Sequence, residues 1–91
     1  MGTSIRIDDL LALGRAIKDR RNELGYTQET AAEVLGIGRR LLIELERGQR
    51  SVRMATVLKV LAGLGLDLHV ELRAHRKPGP PEQMSDKPGR L

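Results

Sequence analysis

Four glycines each end a short segment in which apolar residues recur at helical spacing: Gly25, Gly36, Gly48 and Gly65. Glycine commonly occupies the left-handed backbone position at the end of a helix, because it has no Cβ atom to clash there. Apolar residues three or four positions apart are typical of a helix that buries one side. The pattern therefore predicts a small bundle of short helices.

Capping residues and apolar spacing give the expected bounds of these helices. Asp8 or Asp9 can accept from the first free amides of the first helix, and Thr27 can do so for the second. The expected ranges are 9–24, 28–35, 39–47 and a fourth helix closed by Gly65. The residues predicted to face inward are Leu10, Leu13, Ile17, Arg21, Leu24, Ala31, Ala32, Leu35, Leu42, Leu45, Val57, Val60, Leu61 and Leu64.

A different period follows the fourth helix. Apolar residues now occupy every second position, which predicts a strand with one buried face: Leu66, Leu68, Val70 and Leu72. A strand without a partner leaves its backbone donors and acceptors unsatisfied. We expect the same strand of a second copy to pair with it; the alternative is pairing with residues 4–7, which also alternate.

The predicted fold class is therefore mainly α, a small helical bundle plus one C-terminal β-strand that pairs across a homodimer. A chain of 91 residues is expected to form one domain, which excludes the larger catalytic folds. We divide it into an N-terminal arm over 1–8, a folded domain over 9–73 and a basic tail over 74–91, which we expect to be disordered because it is rich in proline and charge.

Cellular location is predicted from two sequence features. The chain has no cysteine, which fits a reducing compartment. It also has no apolar run of roughly 18 residues, the length needed to span a bilayer, and its first residues do not resemble a signal peptide. We expect a cytoplasmic protein without membrane association.

Positive charge is concentrated around the third helix. Residues 39–53 carry five arginines against Glu44 and Glu46. The simplest interpretation is a solvated helix face, as for most charge runs. Arginine without lysine instead favours recognition of phosphates and guanine edges, because the planar guanidinium forms paired hydrogen bonds with both.

Residues 26–48 contain two short helices joined by a glycine turn, with arginines at the start of the second. This is the helix-turn-helix arrangement, in which the second helix enters the major groove of DNA. The segment resembles the phage-repressor-like helix-turn-helix family at Thr27, Gln28, Ala32, Gly36 and residues 45–48. The resemblance covers residues 10–64, and it extends furthest to HipB-type antitoxins, the partners of HipA-type kinase toxins, through residues 57–68 and the strand that follows.

The resemblance implies base contacts from the third helix. Arg39 and Arg40 occupy its first turn, where arginine is suited to the O6 and N7 atoms of guanine. Glu44 is suited to the amino group of cytosine, or else forms an ion pair with Arg40 one turn earlier. Ile43 departs from the family by replacing a small or polar residue, and we expect it to contact a thymine methyl group or to pack on the second helix. Gly38 departs from the family by replacing the usual Ser or Thr cap of this helix.

Other positions are implied to bind phosphate or to support the fold. Gln28 resembles a residue that contacts a phosphate at a helix start, with a plain surface role as the alternative. The loop after the third helix is expected to meet the DNA backbone through Arg50, Ser51 and Arg53. Arg21 and Glu46 occupy positions that resemble a structural ion pair.

These features predict a repressor that binds a palindromic operator in double-stranded DNA as a homodimer. The resemblance to HipB-type antitoxins implies that this protein is the antitoxin of an operon with a HipA-like kinase toxin. It also implies that the protein represses that operon itself. The alternatives are a stand-alone regulator of the same family and a co-activator-like interaction module with weak DNA binding. No nucleophile has a neighbouring base, and neither His69 nor His75 has acidic residues at ligand spacing, so we expect no enzymatic activity, metal or cofactor.

Overall fold

The computed structural model describes residues 4–49 and 52–71. Within these ranges the chain folds into four helices and no strand. The helices are α1 (Leu10–Glu23), α2 (Gln28–Leu35), α3 (Arg39–Glu46) and α4 (Met54–Gly63). Helix α1 packs against α3, and α2 packs against both α3 and α4.

Side-chain caps fix the starts of the first two helices. The carboxylate of Asp9 accepts from the backbone amide of Ala12 at 2.8 Å, and the hydroxyl of Thr27 accepts from the amide of Thr30 at 3.0 Å. Helix α3 begins after Gly38, which offers no side-chain cap. Gly36 has a φ of 69°, so the backbone turns sharply between α2 and α3.

One apolar core joins all four helices. Its members are Ile17, Ala31, Ala32, Leu35, Leu42, Leu45, Val57, Val60, Leu61 and Leu64. All of them were expected from the helical spacing. The inward positions predicted for Leu10 and Leu24 are wrong, because both side chains stay substantially exposed, one at the first residue of α1 and the other just past its end.

The helices α1 and α3 approach each other closely at two glycines. A Cβ atom on Gly14 would lie 2.5 Å from the carbonyl oxygen of Glu46. A Cβ atom on Gly48 would lie 2.9 Å from the Cα atom of Leu11. Both neighbours are backbone atoms, which cannot move aside as a side chain can. The absence of a side chain at these two positions therefore lets α3 end against α1.

Replacing Gly14 with alanine is expected to lower the free energy of unfolding by about 1 to 3 kcal/mol, the usual cost of overpacking a core contact. The new methyl group would force α1 away from the carbonyl of Glu46. Urea unfolding followed by circular dichroism measures the change. Gly38→Ser is the matched control, since a Cβ atom there meets nothing within 4 Å and serine is a better helix cap. Equal losses in both variants would contradict this account of the contact.

Residues 66–71 follow α4 without forming a strand in the single chain. Leu66 packs against the core, whereas the side chain of Leu68 is 50% exposed and that of Val70 is 95% exposed. The alternative pairing inside the chain is not formed, because residues 4–8 are also outside any strand. The alternating apolar face is thus partly uncovered. Leu72 and the tail over 74–91 lie outside the described residues.

Small differences separate the expected helix bounds from the observed ones. Asp9 caps α1 and does not belong to it, and Leu24 lies just past its end. Arg47 follows α3 as its C-cap residue. No helix in the described part of the chain combines the length and apolar character needed to cross a membrane.

Candidate nucleic-acid interface

The side of α3 that faces away from the core carries the arginines predicted to read bases. Leu42, Leu45 and Glu46 are buried, while Arg39 and Arg40 at the start of the helix are exposed. This separation follows from the sequence, because buried residues three and four apart leave the opposite side of a helix free. The two arginines are therefore available to a large external ligand.

Glu44 forms an ion pair with Arg40, one helical turn earlier in α3. The Nε atom of Arg40 lies 3.5 Å from Oε2 of Glu44, and the arginine side chain is 92% exposed. A pair at this helical spacing with so exposed an arginine contributes only tenths of a kcal/mol. Arg40 can therefore leave the pair at small cost. Ile43, on the same side of the helix, is half-buried.

A buried hydrogen-bond network holds α3 at a fixed place relative to α1 and α2. The Nε atom of Arg21 donates to Oε2 of Glu46 at 2.6 Å, and Nη2 donates to Oε1 at 3.1 Å. Both side chains are more than nine-tenths buried. Nη1 of Arg21 also donates to the carbonyl oxygen of Tyr26 at 2.8 Å, in the turn before α2. The guanidinium thus links α1 to α3 and to the turn that precedes α2.

Gln28 belongs to the same network. Its Nε2 atom donates to Oε1 of Glu46 at 3.1 Å, so the carboxylate accepts three hydrogen bonds from side chains. The sequence pattern indicated Gln28 as a phosphate contact or a surface residue, and it did not reveal this bond. The bond orients Gln28 at the start of α2, where free backbone amides also point outward.

Of the three residues predicted to contact phosphate in the loop between α3 and α4, the structure describes only Arg53. Arg53 is exposed and immediately precedes α4. Arg50 and Ser51 lie outside the described residues. Among the described residues, no group of three histidine, cysteine or acidic side chains is placed to hold a metal ion.

One exposed cation on this side of α3 was not predicted as a contact. Arg47 follows Arg40 by seven residues, which is about two helical turns, so both project from the same side. The sequence pattern counted Arg47 among the five arginines of residues 39–53 and placed it at the end of the helix, without assigning it a contact. Its proximity to α1 arises from tertiary packing, which the helical spacing does not reveal.

The sequence matches the helix-turn-helix family over residues 17–70. A relative of known sequence is an uncharacterised HTH-type transcriptional regulator of Methanothermobacter thermautotrophicus, which is 38% identical over 55 residues, or 60% of this chain and 78% of the relative.

Two kinds of solved structure are similar to this fold. The restriction-modification controller protein C.AhdI of Aeromonas hydrophila is 33% identical, with a TM-score of 0.58 over 64% of this chain and 88% of the controller. HipB in its complex with the O2 20-mer is 25% identical, with a TM-score of 0.69 over 79% of this chain and 99% of HipB. The complex of HipA, HipB, O2 and O3 contains a similar chain with a TM-score of 0.66 and 25% identity.

Proposed function

This chain belongs to the helix-turn-helix family, and from that premise we propose that it is a sequence-specific transcriptional repressor that binds DNA as a homodimer. The observation that carries the proposal is the exposed side of α3, where Arg39 and Arg40 stand clear of the core on a helix fixed by the buried network. The family match and the HTH-type regulators among its relatives support regulation of transcription through DNA.

In this proposal the first turn of α3 reads bases in the major groove. Arg39 and Arg40 bind guanine edges, and Glu44 accepts from cytosine once Arg40 has left the ion pair. Ile43 provides an apolar contact beside them. Because the helix position is set by Arg21 and Glu46, these side chains reach the groove without a rearrangement of the fold.

Phosphate contacts then fix the register of the protein on the duplex. Gln28, oriented by Glu46, lies at the start of α2, and Arg53 lies in the loop after α3 with Arg50 and Ser51 nearby in sequence. Such contacts add affinity without choosing a sequence. Loss of a base contact should therefore change the sequence preference, whereas loss of a phosphate contact should weaken binding to every duplex.

Arg39→Ala and Arg53→Ala test this division. Loss of Arg39 is expected to cost about 1 to 3 kcal/mol of binding free energy on the preferred duplex and to relax the preference at one base pair. Loss of Arg53 is expected to weaken all duplexes alike and to reduce the slope of log affinity against log salt by about one unit. Fluorescence anisotropy with a duplex selected from random sequences measures both effects. Identical behaviour of the two variants would contradict the division.

The proposed dimer is formed by the segment over 66–72. Leu68 and Val70 are exposed on the alternating face, and Leu68 also lines an apolar groove of about 270 Å³ beside Leu10 and Met54. A second copy would pair its strand antiparallel to this one and cover that face. Two α3 helices would then meet successive turns of one duplex, as a palindromic operator requires.

The finer role we propose is that of an antitoxin which represses its own operon and binds a HipA-like kinase toxin, acting at the bacterial nucleoid in the cytoplasm. The similarity to HipB, including a structure that contains HipA, supports this choice. A stand-alone regulator is the second candidate, favoured by the higher identity to the controller protein C.AhdI. A kinase-toxin reading frame beside the gene would favour the antitoxin, and its absence would favour the stand-alone regulator.

A co-activator-like module with weak DNA binding is a third candidate. It differs from both others in one property that is easily measured. A repressor prefers its selected duplex over a random one by several orders of magnitude, whereas an interaction module shows little preference.

A further inference from the structure

A groove of about 470 Å³ lies between α1 and the end of α3, and we name it the α1–α3 groove. Three of its six lining residues are cations. The complete lining is Leu11, Arg15, Lys18, Asp19, Glu46 and Arg47. None of these three cations belongs to the contacts assigned to base reading or to the loop after α3.

Close packing of the two helices brings these cations together. Gly14 allows α1 to touch the carbonyl of Glu46, and Gly48 allows the chain after α3 to touch the backbone of Leu11. Arg47 lies between the two contacts in α3 and the turn after it. It is therefore held beside Arg15 and Lys18, which lie one turn apart on α1.

The net charge of the groove is positive. The carboxylate of Glu46 is already engaged by Arg21 and Gln28. Asp19 is then the remaining anion of the lining, against three cations. Within the described residues no ion pair involves Arg15, Lys18 or Arg47. All three are exposed, so their charges are available to an anion in solvent.

The groove is continuous with the side of α3 that carries Arg39 and Arg40, the arginines proposed to read bases. Arg47 follows Arg40 by two helical turns, so the two guanidinium groups project from the same side of the helix. A helix of eight residues is about 12 Å long. A duplex that receives the first turn of α3 in its major groove would therefore pass its phosphate backbone close to Arg47.

We propose that the α1–α3 groove binds backbone phosphates of the same duplex that α3 reads, with Arg47 and Lys18 as the main contacts. Guanidinium and ammonium groups donate to phosphate oxygens, and arginine can do so through two parallel hydrogen bonds. The inference rests on the proposed function, because it takes the placement of α3 in the major groove as given. It adds phosphate contacts from α1 and from the end of α3.

The test compares two full-length double variants across a range of salt concentrations. Lys18→Gln with Arg47→Gln removes both charges from the groove and keeps polar side chains there. Arg6→Ala with Lys59→Ala is the control, since it removes two cations that do not line the groove. Affinity is measured on the selected duplex and on a random duplex, and thermal unfolding checks that each variant is folded.

We expect the groove variant to lower the slope of log affinity against log salt by about two units, because each neutralised phosphate contributes about 0.9. Between 50 and 200 mM salt the wild type should then lose about tenfold more affinity than the variant. Both duplexes should be affected alike, so the preference ratio stays constant. Lys18→Arg with Arg47→Lys should retain the wild-type slope.

A groove variant that prefers the selected duplex with an unchanged salt slope would overturn the inference and leave the proposed function intact. Groove-dependent binding of a poly-glutamate peptide, together with an unchanged slope on DNA, would also overturn it and assign the groove to an acidic polypeptide. A wild-type protein with no duplex preference, whose slope still falls in the variant, would contradict the proposed function and would show that the groove binds phosphate without base reading by α3.

Discussion

Glu46→Ala is expected to lower the free energy of unfolding by about 3 to 5 kcal/mol, because it leaves the guanidinium of Arg21 buried without its carboxylate. The change also removes the hydrogen bond from Gln28, so α2 keeps its apolar contacts with α3 but loses this polar one. For a small domain this is a large share of the total stability. Urea unfolding at a fixed protein concentration, followed by circular dichroism, measures the loss.

Glu44→Ala is the matched control for this prediction. Glu44 is in the same helix and also pairs with an arginine, but that arginine is 92% exposed and the N···O distance is 3.5 Å. Its removal should cost about 0.5 kcal/mol or less. Similar losses in the two variants would refute the assignment of Glu46 as the residue that fixes α3.

A double variant separates the cost of an unpaired charge from the value of the pair. Arg21→Met with Glu46→Leu removes both charges and fills the site with apolar side chains. Replacement of a whole buried pair in this way is often neutral or stabilising, in contrast to the removal of one partner. We expect the double variant to be more stable than Glu46→Ala, and a greater loss than in the single variant would contradict this explanation.

Val70→Asp is expected to convert the proposed dimer into a monomer and to weaken operator binding by about a hundredfold to ten-thousandfold, the range over which linked binding sites reinforce one another. A carboxylate on the apolar face would be buried without a partner in the paired strands. The helical body should remain folded, because the side chain of Val70 is 95% exposed in the single chain. Sedimentation and anisotropy measure the two effects.

The control for Val70 is its neighbour His69. The alternation places this residue on the opposite face of the strand, so His69→Asp should leave the dimer and its DNA affinity close to those of the wild type. A Val70→Asp protein that still sediments as a dimer would contradict strand pairing over residues 66–72. It would leave the arrangement of α1 to α4 untouched.

Local signals in the sequence were sufficient to predict α2, which was expected and observed over Gln28–Leu35. Its start is fixed by the hydroxyl of Thr27 and its end by Gly36, and both act within a few residues of the helix. The expected bounds of α1 were off by one residue at both ends and those of α3 by one residue at the C-terminal end, where caps and helical residues are hardest to separate.

Contacts between distant residues could not be predicted from local signals. The bond from Gln28 to Glu46 spans 18 positions and depends on how α2 packs on α3. Likewise, the proximity of Arg47 to Lys18 depends on the two glycine contacts between α1 and α3. Helical spacing gives the side of a helix on which a residue lies, but it does not give the element that faces that side.

Strand pairing between two copies also depends on more than local signals. Alternation over residues 66–72 predicts a strand, yet a ladder of hydrogen bonds needs a second segment in register. Residues 66–71 of one chain form no such ladder, so strand pairing across a homodimer stays a prediction. The oligomeric state of the protein in solution therefore tests the prediction of a paired strand.

Selection of bound fragments from random duplex DNA, with the stoichiometry of the recovered complex, tests most directly whether two copies present α3 to one duplex. We expect a symmetric consensus with half-sites about 34 Å apart, one helical turn, bound by two chains. Recovery of no preferred sequence, or of a single asymmetric site bound by one chain, would contradict the account.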